Sequence, residues 1–413
     1  MRILSGRAAA TRVRELAARG SQFGSVEPKV RRIIADVRRD GDQALRRYAQ
    51  RWDGLGKDEP LRVGEVALQQ AWDSAPPRFR SALRQAAGNI RRFCKWQKPK
   101  QWRRNRAGIS LGQLVRPLES VGCYVPGGRY PLVSTLLMTV IPAQVAGVED
   151  IRVVSPQPRS EVLAAASLLG VRQFYRIGGA QAIAALAYGT ESIPRVDKIV
   201  GPGNLYVTAA KKLVSFDCAI DFLAGPTEVV ILSDDGQPEF IAADLVAQAE
   251  HDPEALAVFI TTSRDLAKSV AEQVKEQAGK KTIAKEALRR HGVVLLAGSR
   301  EQAIAWANLL AAEHITVSRR DLPDIQNAGS VFVGDYSPQA AGDYVSGPNH
   351  VLPTAGGARF RGGLSVMDFV KLVTVQELSP TGLKRIAPAI ECLADTEGLS
   401  AHARSIRVRS PHA

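Results

Sequence analysis

Apolar residues recur at helical spacing between about residues 28 and 100, and beyond that the period changes. In Val30-Arg-Arg-Ile-Ile-Ala-Asp-Val-Arg-Arg-Asp-Gly the apolar positions fall three and four apart and the segment ends on glycine. This predicts a helix that stops at Gly41. A second helix is predicted from Asp40-Gly-Asp-Gln-Ala-Leu-Arg-Arg-Tyr-Ala and a third from Arg80 to Phe93. Together they form an all-helical arm, basic outside and apolar along one stripe. After about 108, Ile151-Arg-Val-Val-Ser, Phe174-Tyr-Arg-Ile-Gly-Gly and Lys198-Ile-Val-Gly-Pro-Gly each read as a strand running into a glycine-rich turn. Helices are predicted behind them over 160–169, 180–188 and 209–214. A second set of strands begins at Glu228-Val-Val-Ile-Leu and continues at Ala257-Val-Phe-Ile-Thr-Thr, Gly292-Val-Val-Leu-Leu-Ala and Ser330-Val-Phe-Val-Gly. Helices are predicted over 238–250 and 301–313. This alternation argues for parallel sheets covered by helices, in two related α/β units. The stretch from about 365 reads as a small helical appendage with a basic tail.

Composition adds limits. A chain of 413 residues, 45% hydrophobic and 23% charged, has the profile of a globular protein of two to four units. No apolar run reaches the roughly 18–20 residues of a bilayer span. The start, Met1-Arg-Ile-Leu-Ser-Gly-Arg, has no apolar signal region, so the expected location is the cytoplasm, with no membrane partner. The net charge of +14 comes largely from arginine in the first third, including Arg103, Arg104 and Arg106 at what read as helical surface spacings. No nucleic-acid module accompanies it, and a solvated basic face is the expectation. Four scattered cysteines, Cys94, Cys123, Cys218 and Cys392, give neither a thiolate zinc site nor a disulfide framework.

Histidine is sparse, six in the chain, and four sit beside groups that ligate metal or move protons: His251, His314, His350 and His402. Gln248 and His251 lie three apart near the end of the predicted 238–250 helix, so both can face one ion. Asp343 and a second imidazole would complete a zinc-like N/O set. Taken alone, such a pair is more often a capping histidine at a helix C-terminus. Glu313-His314 places two titratable groups, pointing different ways, at a helix-to-strand junction. Glycine-rich turns at 125–129, 178–181, 201–204 and 224–227 suit a ligand crevice, although no G-x-G-x-x-G is present. At this level hydrolysis and redox chemistry both stay open, a hydrolase using Glu313 to activate water included.

The ordered motifs narrow the choice. Tyr124-Val-Pro-Gly-Gly, Gly178-Gly-Ala-Gln-Ala-Ile-Ala-Ala-Leu-Ala-Tyr-Gly-Thr, Val196-Asp-Lys-Ile-Val-Gly-Pro-Gly-Asn and Ala224-Gly-Pro-Thr-Glu are followed by Gln248-Ala-Glu-His, Glu313-His314, Gly342-Asp-Tyr, Gly347-Pro-Asn-His-Val-Leu-Pro-Thr and Glu397…His402. This series, which runs through essentially the whole chain, resembles the histidinol dehydrogenase family. The resemblance implies oxidation of L-histidinol to L-histidine through the aldehyde, with two NAD+ used in turn. It implies zinc ligands at Gln248, His251, Asp343 and His402, the metal orienting substrate rather than carrying electrons. His314 would take the alcohol proton and Glu313 would activate water onto the aldehyde. Substrate contacts would fall on Thr227, Gln248, His251, His314, Asp343, Glu397 and His402, with His350 nearby, and NAD contacts on Tyr124, Gln181 and Asn204.

The fold that goes with this resemblance is α/β, with two related, incomplete Rossmann-like parallel-sheet domains. One would comprise 1–19, 102–126 and 227–364 and carry the metal and catalytic residues. The other, 127–226, would be the NAD side, with 20–101 as the helical arm. The remainder, 365–413, would be exchanged in a homodimer, so that Glu397 and His402 complete the partner's site. Thr227 stands where this family often has serine. The extra methyl raises the alternative of a related zinc- and NAD-dependent dehydrogenase of another small polyol, such as a sulfonated propanediol. The carboxylate of Glu397 favours the cationic, imidazole-bearing histidinol.

Overall fold

The computed structural model describes residues 1–20, 24–127, 131–280 and 282–409. The glycine-rich turn at 125–129 is described only through Gly127. Gly128 and Arg129 lie outside the described residues, as do the last four residues of the C-terminal segment.

Continuous apolar runs dictate central strands covered on both faces. Glu228–Leu232 and Leu256–Thr261 are buried throughout, and they lie side by side in a six-stranded, fully parallel sheet. Its strands run in the spatial order Arg2–Ser5, Val293–Leu296, Leu256–Thr261, Glu228–Leu232, His314–Val317, Ser330–Val333. Alternate residues of each strand point to opposite faces. Val230, Leu232, Val258 and Ile260 meet Ala9, Val13 and Leu16 from the Gly6–Ala17 helix and Trp306 and Leu310 from the Arg300–Leu310 helix. Val229, Ile231, Ala257 and Phe259 face the other way, against Leu245, Ala249 and Val270. Each valine, leucine, isoleucine or phenylalanine fully buried this way contributes roughly 1.5–3 kcal/mol.

A second six-stranded sheet has the order Arg62–Val63, Gln173–Tyr175, Asp150–Val154, Ser120–Tyr124, Lys198–Val200, Ala219–Ile220. All of it is parallel except the short Arg62–Val63 edge. The helices of the first hundred residues cover it. Val30, Ile34, Val37, Leu45 and Ala49 of the Glu27–Trp52 helix share a core with Val154, Tyr175 and Ile199, whereas Leu83 and Ile90 of the Pro77–Gln97 helix pack with Cys123, Val153 and Phe174.

Three sequence expectations are corrected. Gly41 kinks the helix instead of ending it: Glu27–Trp52 is one helix, bent where Gly41 takes φ 51°, ψ −130°. A side chain there would collide with the Glu191 carboxylate, which accepts the Asp42 N–H at 2.7 Å. Arg103, Arg104 and Arg106 lie on a strand, Trp102–Arg106, which pairs antiparallel with Ile109–Pro117. The segment after 365 is not all helical either. Val370–Leu378 is a nine-residue strand on the other side of Ile109–Pro117, and the helices Pro380–Thr396 and Ser400–Arg407 follow it. Leu393 and Leu399 of this tail are exposed. Among the described residues, no helix is long and apolar enough to cross a membrane.

Candidate active site

Two chemically distinct places emerge. The first lies at the amino ends of central strands in the first sheet, where Thr227 immediately precedes Glu228–Leu232 and Glu313 precedes His314–Val317. Val229 pairs with His314 in register, so the two strand starts are neighbours. Adjacent residues on an extended chain diverge, and here Glu313 and His314 serve different partners.

Glu313 Oε2 accepts the Glu228 N–H at 2.9 Å and the Thr227 hydroxyl. Because the Thr227 proton goes to Glu313, the Gln248 group facing that hydroxyl must be its NH2, which donates to Thr227 Oγ1. The Gln248 amide oxygen is thereby turned away from Thr227. Burial pushes the Glu313 carboxyl up to about 8, so the acid form predominates at pH 7. His314, 3% exposed, sets Nδ1 3.3 Å from the Glu228 carbonyl and Nε2 3.7 Å from Asp343 Oδ1. Burial pushes its imidazole down to about 4, against the pull of Asp343, so it is neutral at pH 7 and able to accept a proton. Asp343 lies on the short Gln339–Tyr344 helix, which packs against Pro238–Ala249, and burial raises its carboxyl. Among the described residues no hydrogen-bond donor reaches that carboxylate. His350 Nδ1 meets the Asp343 backbone carbonyl at 2.8 Å, and burial lowers its imidazole to about 4.

His251 does not share the helix of Gln248. That helix ends at Ala249 with Glu250 as its cap, and His251 lies exposed just beyond. Glu397, capping the Pro380–Thr396 helix, and His402, on Ser400–Arg407, are exposed on the C-terminal segment. Among the described residues, no three histidine, cysteine, aspartate or glutamate side chains cluster as a metal site within one chain.

The second place lies at the carboxyl ends of the second sheet's strands, around Ser120–Tyr124, where the strand order reverses. This is the usual ligand position in open α/β sheets. A cleft of about 960 Å³ is lined there by Tyr124, Gly127, Pro156, Gly179, Gln181 and Asn204, among others. Tyr124 Oη accepts the Gly179 N–H at 3.1 Å. Asn204 caps the Leu205–Val214 helix by accepting the Tyr206 and Val207 N–H groups. Gln181 donates to Asp53 at 3.1 Å, while its buried Oε1 has no partner among the described residues. A Cβ on Gly127 would run into the Pro156 carbonyl. An orphaned buried amide oxygen is what a closely held ligand explains, whereas Gly127 is kept bare by the chain's own Pro156.

Comparison with known proteins decides the family. Residues 16–410 match the histidinol dehydrogenase family profile. The chain belongs to the histidinol dehydrogenase family. It is 48% identical over 391 residues to the histidinol dehydrogenase of Methanothermobacter thermautotrophicus, covering 91% of this chain and 92% of that one. It is 46% identical over 408 residues to that of Geobacter sulfurreducens, covering 95% of each. The crystal structure of histidinol dehydrogenase from Elizabethkingia anophelis superposes with a TM-score of 0.94 at 36% identity, covering 99% of this chain and 98% of that one. Membership makes the chain an NAD-dependent oxidoreductase of α/β fold with parallel sheets.

As a histidinol dehydrogenase family member, the chain also carries residues that the sequence reading passed over. Glu228 was visible only as the end of the motif Ala-Gly-Pro-Thr-Glu and the first residue of a strand. It is 3% exposed and bonds Glu313 and His314 through its own backbone. Arg19, which holds its carboxylate, had no sequence signal at all. Asp53, beneath the second cleft, accepts the Gly178 N–H at 2.9 Å and the Gln181 amide.

Proposed function

We propose that the chain oxidises L-histidinol to L-histidine through the aldehyde, with two NAD+ used in turn and zinc at the first site. The overall balance is histidinol, two NAD+ and water going to histidine, two NADH and three protons. The observation that carries this reading is the back-to-back pair at one strand start: a neutral, buried His314 facing Asp343, and a Glu313 whose ionisation lies near 8. Two successive oxidations take one proton from an alcohol and one from water, and the pair offers an acceptor for each.

In this reading His314 takes the hydroxyl proton as the first hydride leaves, and the nearby Asp343 stabilises the imidazolium. Glu313, once ionised, takes a proton from the water that adds to the aldehyde, and the hydrated aldehyde gives up the second hydride. Thr227 holds the Glu313 carboxylate and the Gln248 amide in line. Zinc would be held by Gln248, His251 and Asp343 with His402 of the partner subunit, and bound there it would orient the substrate's amine and imidazole. The donors suit it: an amide oxygen turned away from Thr227 and, among the described residues, a buried carboxylate without a hydrogen-bond donor and an imidazole without a hydrogen-bond partner form a mixed N/O set. His402 and Glu397 stand on an exposed tail whose apolar side chains also lie open, which supports a homodimer exchanging that segment. NAD+ would lie in the second cleft on Tyr124, Gln181 and Asn204. The units carrying the two clefts would then be 1–19 with 102–126 and 227–364, and 127–226, with 20–101 the arm and 365–413 the exchanged segment.

The test is a panel of small alcohols assayed with zinc and NAD+. L-histidinol is expected to be the preferred substrate, with activity lost on chelation. Preferred turnover of a sulfonated propanediol or another polyol would overturn the substrate assignment.

A further inference from the structure

The cofactor cleft has a second wall that the reading above does not use. It is built by the Glu27–Trp52 helix on both sides of the Gly41 kink, and Tyr48 ties the halves together by donating to Asp36 at 2.6 Å. Lys29, Arg32, Arg39, Arg47 and Arg51 line the cleft, against only Asp36 and Asp53 among its described lining residues. The two acids are committed. Asp36 takes Arg39 on one oxygen and Tyr48 on the other, and Asp53 holds the Gly178 N–H and the Gln181 amide. Arg39 and Arg47 also pair with Asp40. Lys29, Arg32 and Arg51 pair with no carboxylate among the described residues. Arg51 instead lies 5.6 Å over the ring of Trp52, which stacks on Tyr48 at 4.8 Å. The wall therefore offers an aromatic face flanked by unneutralised cations.

In dinucleotide sites an acidic side chain that accepts the ribose 2′-hydroxyl selects NAD, while a nearby arginine accommodates the 2′-phosphate of NADP. This wall has the second character. We propose that it takes the adenosine end of the dinucleotide and that Lys29, Arg32 and Arg51 form a 2′-phosphate subsite, so that NADP+ serves as oxidant beside NAD+. The proposal rests on the assignment of the cleft to the dinucleotide made above. The redox balance is unchanged, each NADP+ taking one hydride as NAD+ does.

Steady-state turnover of L-histidinol by the full chain, at low ionic strength, tests it with each oxidant. Efficiency with NADP+ is expected within about tenfold of that with NAD+, and the double reversal Lys29→Glu/Arg32→Glu is expected to lower it at least about tenfold more for NADP+ than for NAD+. These side chains are exposed and pair with no carboxylate among the described residues, so the variant's melting temperature checks only that it folds. An NADP+ efficiency more than a hundredfold below that of NAD+, or equal losses for both oxidants in the variant, would overturn the subsite while leaving the histidinol reading intact. If NAD+ itself gives no turnover, the histidinol reading fails, and calorimetric titration with the two dinucleotides decides the subsite: comparable binding supports it and no NADP+ binding overturns it.

Discussion

Arg19 grips both oxygens of the buried Glu228 carboxylate, Nε at 2.6 Å from Oε1 and Nη2 at 2.6 Å from Oε2, across 209 residues of sequence. The Ala355 N–H adds a third donor at 2.9 Å. Glu228 in turn gives its own N–H to Glu313 and sets its carbonyl against His314. The carboxylate thus fixes the strand start from which both acid–base residues are aligned. Removing Arg19 leaves a buried charge without its counter-ion, which costs about 3–5 kcal/mol. Arg19→Ala should lower the melting temperature sharply and impair turnover. The double variant Arg19→Met/Glu228→Gln should regain most of the stability, because no uncompensated charge remains. Thermal melts of the two variants separate these outcomes.

Glu313 and pH form the second prediction. Its folded value, about 8, exceeds that of an ordinary carboxyl, so the neutral form is favoured by folding. That contribution is full at acid pH and is lost as pH rises through about 8. Activity runs the opposite way, because water activation needs the ionised form. The rate of aldehyde oxidation should climb with pH up to about 8. Glu313→Gln should remove that limb, cost about 10²–10⁴-fold in this half-reaction, and make the protein more stable than the parent at alkaline pH. A pH–rate profile with the aldehyde as substrate, alongside melts at pH 6 and 9, checks all three.

The two buried histidines give the acid limb. His314 and His350 fold with values near 4, below an ordinary imidazole, so each contributes stability that is present above about 6.5 and is lost as pH falls toward 4. Unfolding on acidification should therefore begin below about pH 6.5, and replacing His350 by asparagine should flatten that part of the stability curve. Urea titrations across pH 4–7 measure it.

Thr227 is predicted to be a positioning residue through its hydroxyl. Thr227→Ser retains the donor and the acceptor and should stay close to the parent. Thr227→Val leaves the Gln248 amide and the Glu313 carboxyl each short of a buried partner, a loss of about 1–3 kcal/mol. It should slow aldehyde oxidation more than alcohol oxidation, which separate assays of the two half-reactions resolve.

If the tail completes the neighbouring site, inactive His314→Ala and inactive His402→Ala subunits should regain part of their activity when mixed and allowed to exchange. Mixtures that stay inactive after verified exchange would place each site within a single chain.

Much of this arrangement was legible in the sequence because it follows from local pattern. Val229–Leu232 is an unbroken apolar run that a central strand buries, and the Glu313-His314 dipeptide falls where helical spacing gives way to such a run. Gly41 misled because glycine normally ends helices; here the apolar residues on both sides share one buried face, so the helix resumes after a bend. The 102–106 arginines misled because charge clusters carry no period of their own, although the turn at Ala107-Gly108, with φ of 51° and 81°, is a hairpin turn. The tail strand did carry a signal in Val-Lys-Leu-Val-Thr-Val, whose β-branched residues suit a strand. Arg19 and Asp53 act across long sequence separations, and no local pattern announces them; the cationic wall was visible only as a basic helical face, with nothing to say that it lines a cleft.

The most direct measurement is the yield of NADH from a limiting amount of L-histidinol with excess NAD+. Two NADH per histidinol are expected, with L-histidine as the final product and no free aldehyde accumulating. One NADH with aldehyde left in solution, or none at all, would contradict the proposed function.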